Sequence, residues 1–242
     1  VERLDDLGIT GFKIIQRPGE ATFSIDALLL AHFIRPRRGD SLCDLGTGTG
    51  VIPLLLSARG SIGPIVGVEL QSELADLAER NIRLNGLAGR IRVVRGDLRT
   101  ITLNDLDRNE PFDLITANPP FRKPGTGRVS PVAGRAMARH ELECTLEDVL
   151  MASRRLVRFG GRVALVHLAE RLTDLLVELR ARALEPKRLK MVRPKAGARA
   201  KLVLVEARAG GRPGLAIEAD LVLHDENGGP TPEMMEIYGS NR

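Results

Sequence analysis

Residues 113–125 read DLITANPPFRKPG, and Asn118-Pro119-Pro120-Phe121 is the stretch whose residue types most suggest chemistry. A proline locks its own φ, lacks an N–H and pushes the residue before it into an extended conformation. Asn118 is therefore held extended and Pro119 is pinned on both sides. The result is a stiff turn that can be neither helix nor central strand. It presents a side-chain amide, a bare carbonyl and an aromatic ring. What these groups are presented to must be read from the rest of the chain.

A second constellation lies upstream in DLGTGTG, residues 44–50. Glycines let a backbone turn tightly and approach a ligand, and a helix N-terminus behind them offers free N–H groups. A dinucleotide site would need G-x-G-x-x-G, but Gly46, Gly48 and Gly50 fall as G-x-G-x-G, with Val51 where the last glycine should stand. Asp44, two residues before the first glycine, would also repel a pyrophosphate. A carboxylate there suits a ligand with an amino group, such as the methionine moiety of S-adenosylmethionine. Glu69 could accept from both ribose hydroxyls, and Asp97, in RGDL, from an adenine amino group. Leu70 and Leu98, next to these acids, and Asn118 complete the candidate cofactor set.

The elements that must position these residues alternate in kind. SLCDL (41–45), PIVGVEL (64–70), IRVVR (91–95), FDLITA (112–117) and RVALVHL (162–168) read as strands, with helical periodicity behind several of them. That alternation implies βαβ units and a parallel sheet, at whose carboxyl edge ligands bind. Ser72 is expected to cap a helix that Asn85-Gly86 ends. Thr145 and Asp148 predict a capping box, and Gly160-Gly161 the end of the helix it starts. RLKMV (188–192) and KLVLVEA (201–207) are too close for a crossover helix and should pair antiparallel. LAIEADLVLHD (215–225) reads as one more strand, and TPEMMEIY (231–238) as a short helix with Pro232 near its start.

The acid-G-x-G-x-G, the acids after the second and third strands and the terminal hairpin together resemble class I S-adenosylmethionine-dependent methyltransferases over roughly residues 40–208. The resemblance implies a Rossmann-like α/β fold, with a mostly parallel seven-stranded sheet and a C-terminal antiparallel hairpin. In that family the segment after the fourth strand faces the methyl group. An Asn-Pro-Pro-aromatic sequence there marks enzymes that methylate a planar nitrogen. The exocyclic amino group of adenine is a poor nucleophile because its lone pair is delocalised. Accepting its N–H groups on the Asn118 side-chain oxygen and the Pro119 carbonyl would localise that density, while Phe121 stacks on the base. In-line geometry and electrostatics could then supply most of the acceleration. The motif also serves guanine N2 of ribosomal RNA and the glutamine side chain of release factors. Enzymes of the latter kind typically show Tyr in the last place and a helical domain before the cofactor motif. Here Phe121 ends the motif, and only about forty residues precede the glycines.

Three further stretches resemble the bacterial N6-adenine methyltransferases that act on valine tRNA beside the anticodon, at adenosine 37. FSIDALLLAHF (23–33) is similar to the segment that lies over their cofactor, with Asp26 at the matching position. ARHELECTLEDVL (138–150) and LVLHDENGGPTPEMMEIY (221–238) resemble their later elements. The resemblance implies an N-terminal segment (1–40) over the cofactor, a methyltransferase domain (41–208) and a strand and short helix (209–242) completing it. It also implies tRNA as substrate and S-adenosylhomocysteine as product. An anticodon-loop base is cheaper to rotate into a pocket than a paired one.

Composition agrees with such a partner. The net charge of +5 and pI near 9.7 permit a polyanion. Arg122, Lys123, Arg128, Arg135 and Arg139 follow the motif, and Lys187, Arg188, Lys190, Arg193, Lys195, Arg199 and Lys201 form a second cluster without acids. From these, Arg122, Lys123, Arg128, Arg139, Lys195 and Arg199 are the candidate RNA contacts. Aromatic residues make up only 3%, too few for a broad stacking platform. His140, the histidine nearest the motif, is expected to pack or contact RNA rather than take a proton. Cys43 and Cys144 stand in no metal spacing and read as intracellular thiols, so no metal is expected. No apolar run reaches the ~18–20 residues that span a membrane, and VERLDDLGIT lacks the layout of a secretory signal, so a cytoplasmic location is expected. Val1 in place of Met suggests that residues precede it. Nothing in the sequence separates a monomer from a weak homodimer.

Overall fold

A computed structural model describes residues 2–8, 11–17, 24–60, 62–119 and 144–239. Pro120, Phe121, Arg122, Lys123, Arg128, Arg135, Arg139 and His140 lie outside the described residues. The chain opens with an antiparallel hairpin, β1 (Arg3–Asp6) and β2 (Lys13–Gln16), that the sequence reading did not anticipate. Helix α1 (Ile25–Phe33) follows, and then the alternating core: β3 (Leu42–Leu45), α2 (Val51–Ala58), β4 (Ile65–Glu69), α3 (Ser72–Leu84), β5 (Ile91–Arg95) and β6 (Phe112–Ala117). After the undescribed stretch come α4 (Leu146–Leu156), β7 (Val157–Leu168), a 3₁₀ turn (Ala169–Arg171), α5 (Leu172–Ala181), β8 (Leu184–Lys195) and β9 (Leu202–Ala209). Two short strands, β10 (Ala216–Ile217) and β11 (Leu221–His224), and helix α6 (Pro232–Ile237) end it.

Strands β3 to β7 are mutually parallel in the order β5-β4-β3-β6-β7, with β9 and then β8 beyond. β9 runs antiparallel to both β7 and β8, so β8 regains the direction of the parallel set. The chain leaves β3 for β4 on one side and returns to β6 on the other. This switch point opens a crevice at the carboxyl edge. Strand β3 lies at its centre and is buried throughout. One apolar cluster packs under the hairpin, α1, α2 and α6, and another under α4 and α5.

Four local readings are corrected. The sheet has nine strands among the described residues, because β10 and β11 both add to the outer edge of the expected seven, parallel to β8. They are two strands rather than one. Ile217 pairs with Leu189 and Leu221 with Val192, so one extra residue bulges between them, and Glu218 and Asp220 there turn to Arg188 and Arg193. Gly160-Gly161 does not stop a helix. Helix α4 gives way directly to extended Val157, and the glycines lie in a register shift of β7 against β6. Gly160 has φ 73°, and a Cβ on Gly161 would sit 2.7 Å from Val157 Cγ2. Ser72 is the first helical residue and Gln71 the cap. The Thr145/Asp148 capping box, the close of α3 at Asn85-Gly86 and Pro232 at the start of α6 are as expected.

Candidate active site

The glycine turn is built by the strands it joins. Asp44 pairs in register with Gly67 of β4 and Thr116 of β6. Gly46 and Thr47 donate their N–H groups to Val68 O at 2.9 and 3.0 Å, which folds the chain back over β4. Gly46, Gly48 and Gly50 have φ of 69°, 55° and 84°, left-handed values that glycine adopts without strain. A Cβ on Gly46 or Gly48 would meet no atom within 4 Å, so that side of the turn is open. At Gly50 a Cβ would stand 3.4 Å from Ala78 Cβ, where α3 packs beneath.

Asp44 is 1% exposed. Its Oδ2 accepts from Thr47 Oγ1 at 2.7 Å and its Oδ1 from Thr116 Oγ1 at 2.5 Å. Burial raises its carboxyl to about 7, the two hydroxyl hydrogen bonds oppose the rise, and the nearby Glu69 charge adds to it. Gly67 makes the arrangement possible, since a Cβ there would lie 2.8 Å from Thr47 Cγ2. Glu69, also 1% exposed, accepts from the N–H groups of Gly48 (2.8 Å) and Gln71 (2.9 Å). Asp97 is half-buried after β5 and gripped by Arg99. The Arg99 Nε lies 3.0 and 2.9 Å from its two oxygens and Nη2 at 2.5 Å, which holds the carboxyl below its usual range.

The remaining candidates fall around the same edge. Asn118 is half-buried and Pro119 buried, immediately past the end of β6 and two residues beyond Asp44's partner Thr116. Leu70 is exposed and Leu98 half-buried beside their acids. Asp26 stands in the first turn of α1, where burial raises its carboxyl against a hydrogen bond from Ser24. Cys144 is pushed up to about 12 by burial and then by Asp148, so its thiol stays protonated at neutral pH.

Residues 21–167 match the methyltransferase small domain family. The chain belongs to that family. It is 33% identical over 199 residues, 80% of this chain and 76% of the relative, to a protein of Porphyromonas gingivalis named tRNA1(Val) (adenine(37)-N6)-methyltransferase. A relative of the same name from Parabacteroides distasonis is 33% identical over 184 residues, 76% of this chain and 75% of its own. The crystal structure of a predicted O-methyltransferase from Agrobacterium tumefaciens superposes with a TM-score of 0.68 at 22% identity, over 88% of this chain and 95% of that one. The fold is thus that of class I methyltransferases.

This methyltransferase uses S-adenosylmethionine, and its residues fit that cofactor. Asp44 and Glu69 are two adjacent buried carboxylates with no guanidinium or ammonium partner among the described residues. Such a pair suits a ligand that brings positive charge, as a sulfonium with an α-ammonium does. The open side of Gly46 and Gly48 gives the ligand room against the backbone.

The second basic cluster divides in two. Arg188 pairs with Glu206 and Glu218, Lys190 with Glu233 and Arg193 with Asp220. Lys195, Arg199 and Lys201 are exposed in and beside the β8–β9 turn. Because β8 shares the direction of the parallel set, this turn lies at the same sheet edge as the site. Among the described residues no helix is long and apolar enough to cross a membrane, and no group of three or more His, Cys, Asp or Glu could hold a metal.

Thr47, Thr116 and Asn81 were not singled out from the sequence. Thr116 is the one hydroxyl in an otherwise apolar strand end, and Asn81 interrupts the buried face Leu74, Leu77, Ala78 and Ile82. A polar residue on an apolar stripe is the signal that could have found both.

Proposed function

We propose that this enzyme transfers a methyl group from S-adenosylmethionine to the exocyclic N6 of an adenosine in tRNA, adenosine 37 of the valine tRNA anticodon loop. The observation that carries the reading is the position of Asn118-Pro119 at the end of β6, next to the strand whose carboxyl end forms the glycine turn. The names of the relatives that cover most of the chain support it. When bound, the cofactor supplies an activated methyl group on a sulfonium. Glu69 is assigned to the ribose, Asp97 to the adenine, Asp44 to the methionine end, and Asp26, Gly46, Gly48, Gly50, Leu70 and Leu98 to the walls. Asn118 Oδ1 and the Pro119 carbonyl accept the two N–H groups of the target base, which directs its nitrogen lone pair, and Phe121 stacks on the ring.

Lys195 and Arg199 hold RNA phosphates, with Arg122, Lys123, Arg128 and Arg139 from the segment after the motif. The segment 1–40 covers the cofactor, 41–208 forms the catalytic domain and 209–242 completes it. The enzyme works in the cytoplasm, where it meets tRNA.

The test is to incubate the protein with labelled S-adenosylmethionine and, separately, unmodified valine tRNA, ribosomal RNA and a release factor. The product is digested and the methylated unit weighed. N6-methyladenosine at position 37 is expected. N2-methylguanosine or methylglutamine would reassign the acceptor, and no label in any sample would overturn the reading.

A further inference from the structure

Helix α3 carries Asn81, and Asn85 caps its C-terminus one turn later, both on the side that meets the N-terminal hairpin. Asn81 Oδ1 accepts from the Ile15 N–H at 2.7 Å, and its Nδ2 donates to the Ile15 carbonyl at 3.2 Å. Asn85 does the same for Lys13, at 2.9 and 2.7 Å. Residues four apart on a helix lie one above the other, and residues two apart on a strand turn the same edge outward. The two amides therefore take the place of a third strand along β2. Around them the hairpin is tied down again where Arg80 grips Glu2 with two contacts of 2.6 Å.

The two asparagines differ in one respect. Asn85 spends its second N–H on the Asn81 carbonyl of its own helix, at 2.7 Å. Asn81, which is fully buried, donates instead to the carbonyl of Thr49 at 3.0 Å, inside the glycine turn. The neighbouring Gly50 is already packed on Ala78, one turn earlier on α3. One amide thus holds two backbone segments, the cofactor turn and the hairpin strand, that have no covalent connection for more than thirty residues.

We propose that Asn81 is the positioning residue that couples the N-terminal hairpin to the cofactor turn. Cofactor seated on the turn fixes the Thr49 carbonyl, hence the Asn81 amide, hence β2. By linkage, a docked hairpin tightens cofactor binding in return. Asn85 docks the hairpin without touching the turn and serves as the internal control.

The experiment uses the full chain and S-adenosylhomocysteine, which binds without turnover. Calorimetry gives its Kd for the wild type, Asn81→Ala and Asn85→Ala, and hydrogen exchange reads the Lys13 and Ile15 amides with and without it. In the wild type the ligand is expected to slow exchange at both amides. Asn85→Ala should loosen the hairpin yet leave Kd within about threefold. Asn81→Ala should weaken binding by about tenfold and erase the ligand-dependent protection, a loss of one buried hydrogen bond to the turn. Equal weakening by both variants, or unchanged binding in Asn81→Ala, would overturn the proposal. If Asn81→Ala fails to fold, the wild-type exchange decides alone: a ligand without effect on β2 overturns it.

Discussion

At the scale of single residues, Asp44 carries most of the consequence. Its carboxyl sits near 7 in the folded protein against 3.8 ordinarily, so between those values the native state keeps a proton that the unfolded chain has lost. The stabilisation is complete below about pH 4 and disappears as pH rises through about 7. Denaturant melts of wild type and Asp44→Asn across pH 4–8 should show their stability difference sloping through this window. Parallel curves would mean that Asp44 is charged throughout. A cationic ligand favours the charged carboxylate, so wild-type affinity for S-adenosylmethionine should rise across the same interval. Asn118 makes a different prediction. Asn118→Ala should keep S-adenosylhomocysteine binding and lose on the order of 10²-fold or more in single-turnover rate, the scale of a lost polar contact to a transition state. Near-normal turnover would remove Asn118 from the chemistry. Both residues stood out in the sequence, Asp44 as a carboxylate before three glycines and Asn118 as an amide before two prolines. Thr47 was not legible, since a threonine in a turn reads as an ordinary turn residue until the fold places its hydroxyl against Asp44.

At the scale of elements, the edge of the sheet away from the site is closed by a buried ionic network. Arg162, 8% exposed, pairs with Asp40 and donates to the Arg35 carbonyl at 2.7 Å, with Glu206 3.6 Å away. Arg188 continues the chain through Glu206 and Glu218 while lying over the Phe33 ring at 4.4 Å. The network ties the end of α1 to β7, β8 and β9. Arg162→Met keeps the bulk but strands Asp40 in a buried position, which costs about 3–5 kcal/mol. A thermal melt should register that loss while the S-adenosylhomocysteine Kd stays unchanged, because the network is remote from the carboxyl edge. A variant as stable as the wild type would make the network dispensable. Periodicity placed α3 and α4, and the capping box gave the start of α4, whereas the cap of α3 and the stop of α4 were misassigned. These signals missed the hairpin because β1 and β2 have four residues each and owe their stability to Asn81, Asn85 and Arg80, which are distant in sequence.

At the scale of the whole molecule, charge is sorted by what each cation already holds. Neutralising Lys195 and Arg199 together should weaken tRNA binding and flatten the dependence of log Kd on log salt by up to about two. Neutralising Lys190 and Arg193, whose partners are Glu233 and Asp220, should leave that slope intact and appear as a modest loss of stability. Filter binding over a salt series separates the two, and identical slopes for both variants would return Lys195 and Arg199 to ordinary surface.

By itself the sequence determined local features: which turn is rich in glycine, which carboxylates stand after which strands, and that an amide followed by two prolines comes after β6. These follow from φ, proline sterics and periodicity, all set within a few residues. The tertiary structure decided what depends on distant partners. It placed β9 between β7 and β8, split the 215–225 strand over its edge, buried Asp44 between two hydroxyls, and divided one run of cations into those with an acid partner and those without one among the described residues. Burial and pairing are properties of neighbours in space, and a basic residue carries no mark in its sequence of whether an acid will fold against it.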